Sequence, residues 1–147
     1  MKLTANFTVE EFERSATADK YKINNKIPND LRGNALSLAQ MLQKIREEYG
    51  YPIVVSSAYR CPELNIKVGG AVNSDHKYCA AADIKATKTT NAVLFNLIKK
   101  MIDDNKISCR QLIWEYGTKK EPNWIHISIN HKDNSKKNNQ ILYLGVK

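Results

Sequence analysis

Apolar residues recur every three or four positions in two parts of the chain, the spacing of one face of a helix. The first set is Leu31, Ala35, Leu38, Leu42, Ile45 and Tyr49. The second set is Val93, Leu94, Leu97, Ile98, Met101 and Ile102. Both segments therefore predict amphipathic helices, and Gly50 and Pro52 end the first. Thr8 and Glu11 form a capping-box pattern that predicts a short helix over residues 8–15.

Short apolar runs predict the strands of a sheet. They lie at residues 53–55, 81–84, 111–116, 124–129 and 141–144. Residues 16–30 and 58–80 are polar or rich in turn residues and predict loops, and a loop as long as the second is usually functional. Helices followed by strands predict an α+β fold, a small antiparallel β-sheet flanked by helices.

The strand at residues 124–129 has a clear two-residue alternation. Ile125, Ile127 and Ile129 share one face, which we expect to pack in the core. His126 then lies on the opposite face, toward a cleft. Gln111, Ile113 and Glu115 similarly share one face of the preceding strand, but the hairpin register that relates the two faces is not fixed by the pattern.

The length of 147 residues predicts one domain spanning 1–147, and its 42% hydrophobic and 26% charged residues exclude global disorder. No run approaches the ~20 apolar residues of a membrane helix, so we expect no membrane insertion. The N-terminal segment carries acidic residues where a secretory signal has an apolar run. We therefore expect a protein that is cytoplasmic as synthesised, without a signal peptide. We also expect it to be a monomer.

The formal net charge of +8 favours anionic partners, such as acidic cell-wall polymers. No RNA-binding motif or recognition-helix pattern accompanies it, so specific binding to nucleic acid is not predicted. Cys61, Cys79 and Cys109 are an odd number of cysteines in no CxxC pair. They predict free thiols and no cysteine-based zinc site.

His76, Asp83 and His126 are candidate metal ligands. Two imidazoles and one carboxylate suit Zn²⁺, and three protein ligands leave the fourth tetrahedral position for water, as in catalytic sites. A histidine and an aspartate seven residues apart also occur by chance. Spacing alone therefore leaves a metal site and ordinary surface histidines as alternatives.

Several motifs resemble those of the zinc D-alanyl-D-alanine metallopeptidases. Residues 74–83 resemble S-x-H-x-x-G-x-A-x-D, and residues 124–128 resemble W-[IV]-H-[IV]-S. Similar blocks lie in the same order at residues 57–60, 62–65, 68–71 and 111–115. The resemblance runs from about Thr4 to Ser128 and implies a fold like that of the hedgehog and DD-peptidase domains.

Two positions depart from these motifs. Cys79 replaces a glycine, which would cost about 1 kcal/mol if that position requires a positive φ angle. A thiolate three residues from His76 could also compete for the metal, although the resemblance does not make this position a ligand. Ala58 replaces the glycine of S-G-Y-R, a milder change.

The resemblance implies one Zn²⁺ ion bound by His76, Asp83 and His126. It implies hydrolysis of peptidoglycan peptide bonds by a metal-activated water, by a D,D-carboxypeptidase or by an endopeptidase of the endolysin type. Such a protein would act on the wall after release from the cell. The alternative, to which Cys79 points, is an inactive zinc-binding module that interacts with the wall or other anionic partners.

The resemblance also implies roles for residues around the metal. Two candidates for the general base stay open, Glu115 and Glu121, and Glu115 is favoured because it belongs to the matching block Q-L-I-x-E. Arg60 would bind the substrate and stabilise charge in the transition state.

The remaining candidates surround these residues. Ser74 and Ser128 would orient metal ligands through hydrogen bonds. Tyr78 and Trp124 would line the substrate cleft, with simple packing as the alternative. His131 lies past the strand, and we expect it to be exposed to solvent.

Overall fold

The computed structural model describes all residues, 1–147. The helices are α1 (Val9–Glu13), α2 (Ala16–Lys20), α3 (Arg32–Tyr49), α4 (Pro62–Lys67) and α5 (Asn91–Asp103). The strands are β1 (Ile53–Ser57), β2 (Ala81–Ala86), β3 (Gln111–Glu115), β4 (Trp124–Ser128) and β5 (Gln140–Leu144). Two short 3₁₀ turns cover Asn29–Leu31 and Asp75–Tyr78. This arrangement confirms the predicted α+β fold.

The five strands form one sheet in the order β1-β2-β4-β3-β5. The pairings of β1 with β2, β2 with β4 and β4 with β3 are antiparallel, as predicted. The sheet is nevertheless mixed, because β5 runs parallel to β3. The end of β4 lies beside the start of β3, where Ser128 is the register partner of Gln111. Residues 129–139 return the chain to that same end, so β5 starts there and runs in the direction of β3.

The two amphipathic helices are confirmed, and their apolar faces are buried in the core. Fully buried side chains of α3 and α5 include Leu38, Leu42, Ile45, Leu94, Phe95 and Ile98. Ile84, Leu112, Ile125 and Ile127 of the sheet belong to the same core cluster. The opposite face of the sheet is thereby left for polar side chains. Gly50 ends α3, as predicted, and it does so in the left-handed conformation that glycine tolerates.

Two segments expected to be loops contain short helices. Ser15 caps α2 by accepting a hydrogen bond from the Ala18 N–H, and Cys61 caps α4 ahead of Pro62. Helices of five or six residues are too short to show a helical period, which is why the pattern missed them. No helix of the chain combines the length and the apolar character needed to cross a bilayer.

Candidate metal centre

The three predicted ligands converge on one face of the sheet. Asp83 of β2 and His126 of β4 are register partners, so their side chains point to the same side. His76 lies in the 3₁₀ turn that immediately precedes β2. One ligand atom from each residue lies within 4.8 Å of the others. The fold thus brings together a group drawn from three separate elements.

His76 is oriented by the main chain. Its Nδ1 lies 2.6 Å from the carbonyl oxygen of Ala58. Because a carbonyl only accepts, Nδ1 carries the proton and donates, which leaves the lone pair on Nε2. Burial lowers the pKa of His76 against the opposing effect of Asp83, so the imidazole is neutral at pH 7. A neutral imidazole with one nitrogen fixed in this way is a typical metal ligand.

Asp83 connects both imidazoles. Its Oδ1 lies 3.0 Å from Nδ1 of His126 and 3.4 Å from Nε2 of His76. Burial opposes ionisation of this carboxyl, but the hydrogen bond that His126 Nδ1 donates to it outweighs burial and holds its pKa well below the usual range. Two imidazole nitrogens and one carboxylate are a donor set that Zn²⁺ prefers. The residues present therefore fit this ion.

Arg60 lies at the β1 side of the group, held by polar contacts. Its Nη2 is 3.6 Å from Asp83 Oδ2, and its Nε donates to Ser57 Oγ at 3.3 Å. Its Nη1 donates to Asn65 Oδ1 at 3.3 Å. A Cβ at Gly70 would lie 2.1 Å from that same Asn65 oxygen, so only glycine allows this close packing. The guanidinium is mostly buried beside the metal ligands, with its side chain 18% exposed.

The structure separates the two candidate bases. Glu115 shares the face of His126, because the register pairs Ile113 with His126 and Glu115 with Trp124. Burial raises the pKa of Glu115, and the charges of His126 and Asp83 act on it in opposite directions. Glu121 instead accepts a hydrogen bond from the Ala92 N–H at 2.8 Å, in the first turn of α5.

The two predicted serines do not contact the ligand side chains. Ser74 Oγ accepts from the backbone N–H of His76 at 3.2 Å and thereby caps the 3₁₀ turn. Ser128 Oγ is buried and has no hydrogen-bond partner. Ser74 thus acts on the main chain of a ligand residue, and no bond from Ser128 to a ligand is formed.

The expectation that His131 is exposed is wrong. Its side chain is fully buried, with Nε2 3.2 Å from Asp75 Oδ1. The Tyr78 ring lies against it at a centroid distance of 4.7 Å, so the side of Tyr78 facing His131 serves packing. A buried carboxylate needs donors, and the burial of Asp75 explains why His131 is held here.

Asp75 itself escaped the sequence analysis. It also accepts from Arg110 Nη1 at 3.1 Å and from Asn134 Nδ2 at 3.0 Å. Its partners come from the segment before β3 and the segment after β4, so the carboxylate ties both to the turn that bears His76. The motif leaves position 75 unspecified, and a single aspartate next to a candidate ligand does not by itself predict a structural role.

Trp124 lies at the other side of the group and contacts an aromatic residue that sequence reasoning missed. The centroids of the Trp124 and Tyr116 rings are 5.2 Å apart. Tyr116 follows Glu115 and is 49% exposed. The apolar run places residue 116 inside the predicted strand 111–116, where alternation would direct its side chain away from the face of Glu115.

The cysteines are free, as predicted. Cys79 has a φ of 54° and closes the 3₁₀ turn, so the condition for backbone strain at this position is met. Its side chain is fully buried, and burial raises the pKa of the thiol to about 12. Cys79 is not part of the group of ligand atoms around Asp83.

Comparison with known proteins gives one family. No curated protein matches the chain. Residues 5–128 match the family described as Peptidase M15. This span contains His76, Asp83 and His126 and ends before β5. M15 peptidases depend on zinc, which agrees with the donor set described above. Because the match covers most of the chain, the protein belongs to the Peptidase M15 family.

Proposed function

We propose that the protein is a zinc peptidase that hydrolyses peptide bonds of peptidoglycan, as a D,D-carboxypeptidase or an endopeptidase. The observation that carries this proposal is the convergence of three ligand atoms within 4.8 Å on one sheet face. Family membership supports the zinc-dependent peptidase chemistry. The peptidoglycan substrate rests on the motif resemblance to D-alanyl-D-alanine peptidases.

His76, Asp83 and His126 would hold one Zn²⁺ ion. When bound, the ion lowers the pKa of a water ligand toward about 7 and polarises the scissile carbonyl. Asp83 supplies the only negative charge among the three ligand residues, since its pKa is lowered and the imidazoles carry no negative charge. With the ion held there, the site would keep a net positive charge, which would favour a developing oxyanion.

Glu115 is proposed as the general base. It takes the proton from the attacking water and delivers it to the leaving amine. Burial raises its pKa toward the operating range, as efficient proton transfer requires. The hydrogen bond between Glu121 and α5 favours Glu115 for this role.

Arg60 is proposed as the substrate clamp. A planar guanidinium donates to a carbonyl oxygen or binds a terminal carboxylate in a bidentate manner. Its bonds to Ser57 and Asn65 limit its movement, so little entropy is lost when substrate binds. Tyr78 and Trp124 are proposed to line the cleft on which the peptide lies.

The net charge of +8 supports residence on anionic wall polymers after release from the cell. A single chain carries all three proposed metal ligands, which supports action as a monomer. No contact of the proposed mechanism requires a second copy of the chain.

The test measures metal and activity on the same samples. Wild type is expected to hold about one zinc per chain and to release D-alanine or new amino groups from purified peptidoglycan. His76→Ala is expected to lose the metal and the activity. Glu115→Gln is expected to keep the metal and lose turnover. Wild type that takes up no zinc contradicts the proposal.

Zinc binding without hydrolysis of any wall peptide would favour the second candidate, a zinc-binding module without catalysis. The observation on its side is the strained conformation of Cys79 at a motif position that glycine usually occupies. This strain, three residues after His76, is the feature by which such a module would differ from an active family member.

A further inference from the structure

The C-terminal strand β5 lies outside the residues that match the family. It nevertheless extends the sheet face that carries the metal ligands. Leu144 of β5 is the register partner of Glu115 and is 45% exposed. The segment therefore contributes side chains of this particular chain next to the proposed base.

Tyr116 follows Glu115 in a conformation that reverses the direction of its side chain. In an extended strand it would point away from Glu115, because successive side chains alternate. Its φ is 57°, and its ring lies against Trp124, which shares the face of His126. Its N–H donates to the Leu144 carbonyl at 2.7 Å, so β5 holds this conformation. Backbone strain of this kind in a non-glycine residue is typical of functional positions.

Gly145 makes room for the ring. A Cβ at this position would lie 2.4 Å from Tyr116 Cδ1 and 2.6 Å from Cε1. Its φ of +66° also suits glycine. The end of β5 is thus shaped to the Tyr116 ring, which stays half exposed between Gly145 and Trp124. Tyr116, Trp124 and Leu144 together form what we call the apolar shelf.

The apolar shelf lies across the metal centre from Arg60. Arg60 follows β1 at one edge of the sheet, and the ligands Asp83 and His126 lie on β2 and β4. The shelf begins at Trp124 of β4, two residues before His126, and continues through Tyr116 after β3 to Leu144 of β5. A peptide crossing the centre would meet a guanidinium on one side and aromatic faces on the other. A guanidinium suits a C-terminal carboxylate, so the shelf falls on the N-terminal side of the scissile bond.

We propose that Tyr116 is a specificity-determining residue, and that the apolar shelf binds the apolar side chain of the substrate residue on the N-terminal side of the scissile bond. This inference rests on the proposed peptidase function and on the role of Arg60 in it. An apolar side chain gains free energy by burial against aromatic faces, whereas a glycine has no side chain to bury. The shelf therefore favours a substrate with an apolar residue at this position over one with glycine.

The test measures binding of two peptides to zinc-loaded protein by calorimetry, in the Glu115→Gln background so that neither is consumed. The probes are the stem pentapeptide ending in D-Ala-D-Ala and the same peptide ending in Gly-D-Ala. We expect the first to bind about tenfold more tightly, the usual effect of one methyl group in a fitted site. Adding Tyr116→Asn should reduce this ratio to near one, and adding Tyr116→Phe should preserve it.

Asparagine is chosen because it tolerates the left-handed conformation of residue 116 while removing the ring. Thermal unfolding and zinc content check that the variants are folded and loaded. If Tyr116→Asn does not fold, Tyr116→His is the second variant, because histidine also tolerates a positive φ and replaces the phenol ring by a smaller, polar one. A ratio unchanged by Tyr116→Asn, or equal weakening of both peptides, would overturn the role of the shelf alone. Failure of both peptides to bind zinc-loaded protein with Tyr116 intact would overturn the proposed function with it.

Discussion

Asp83 and His126 face each other across β2 and β4, with Asp83 Oδ1 3.0 Å from His126 Nδ1. The same oxygen lies 3.4 Å from Nε2 of His76. One carboxylate oxygen thus faces both imidazoles, so the three donors are gathered where a cation would bind.

Replacing this carboxylate should strongly weaken metal binding. Asp83→Asn removes the negative charge while keeping the size of the side chain, and we expect zinc affinity to fall by more than about 100-fold, beyond the effect of an outer hydrogen-bonding partner. Competition with a chelator measures the affinity. Asp103→Asn, at an exposed position of α5, is the matched control and should bind zinc like wild type. Retained affinity in Asp83→Asn would exclude Asp83 as a ligand.

The two glutamates should respond differently to the same change. Glu115→Gln is expected to lower kcat by about 10²–10⁴-fold, the usual contribution of a general base. Glu121→Gln should leave kcat within about twofold, because its amide oxygen can still accept the bond from Ala92. Both variants should retain zinc. A large loss in Glu121→Gln with normal unfolding would reverse the assignment of the base.

Activity should be lost as the pH falls through the pKa of Glu115. Its base function needs the ionised form, and burial raises this pKa above the ordinary glutamate value of 4.5. Asp83 stays ionised over that range, since its pKa is lowered. The acidic limb of kcat/KM against pH should therefore lie above the ordinary carboxyl value. A limb at or below that value would indicate another group.

The buried pair of Asp75 and Arg110 should be costly to break. Asp75→Ala removes the carboxylate partner of Arg110, whose side chain is only 13% exposed. It also removes the hydrogen-bond acceptor of His131 and Asn134. We expect a loss of about 3 kcal/mol in the free energy of unfolding. Urea denaturation measures it. The double variant Asp75→Ala/Arg110→Ala should recover part of the loss, whereas an additive further loss would show that the pair is not coupled.

At position 79, the glycine variant should be more stable than the alanine variant, the reverse of the usual order. Both Cys79→Ala and Cys79→Gly lose the buried sulfur, so their comparison isolates the backbone. Alanine normally stabilises relative to glycine by about 0.5–1 kcal/mol. At a φ of 54° we expect the glycine variant to be the more stable by about 1 kcal/mol. Urea denaturation at neutral pH compares them, and a more stable alanine variant would show that the turn relaxes.

The sequence predicted those parts of the fold that are set by long or regular patterns. The apolar periods of α3 and α5 span several turns, and the alternation around His126 determines which face its side chain takes. The three ligands followed from motifs in order. In each case the information lies within one element or within a fixed local spacing.

The features that escaped prediction depend on contacts between distant segments. The direction of β5 follows from the path of residues 129–139, and the burial of His131 follows from Asp75, which is 56 positions away in the chain. The face shared by Glu115 and His126 required the hairpin register. Tyr116 takes its orientation from a left-handed φ and from Gly145, and no periodicity encodes either.

The contact between His76 and the carbonyl of Ala58 has a consequence for how the site tolerates sequence change. The acceptor belongs to the main chain, so no exchange of one side chain for another at position 58 deletes it. The path of the main chain after β1 therefore determines which nitrogen of His76 carries the proton. Substitutions that bend this course, such as a proline in β1, would disturb metal binding from a distance, while alanine for glycine at position 58 leaves the imidazole correctly protonated.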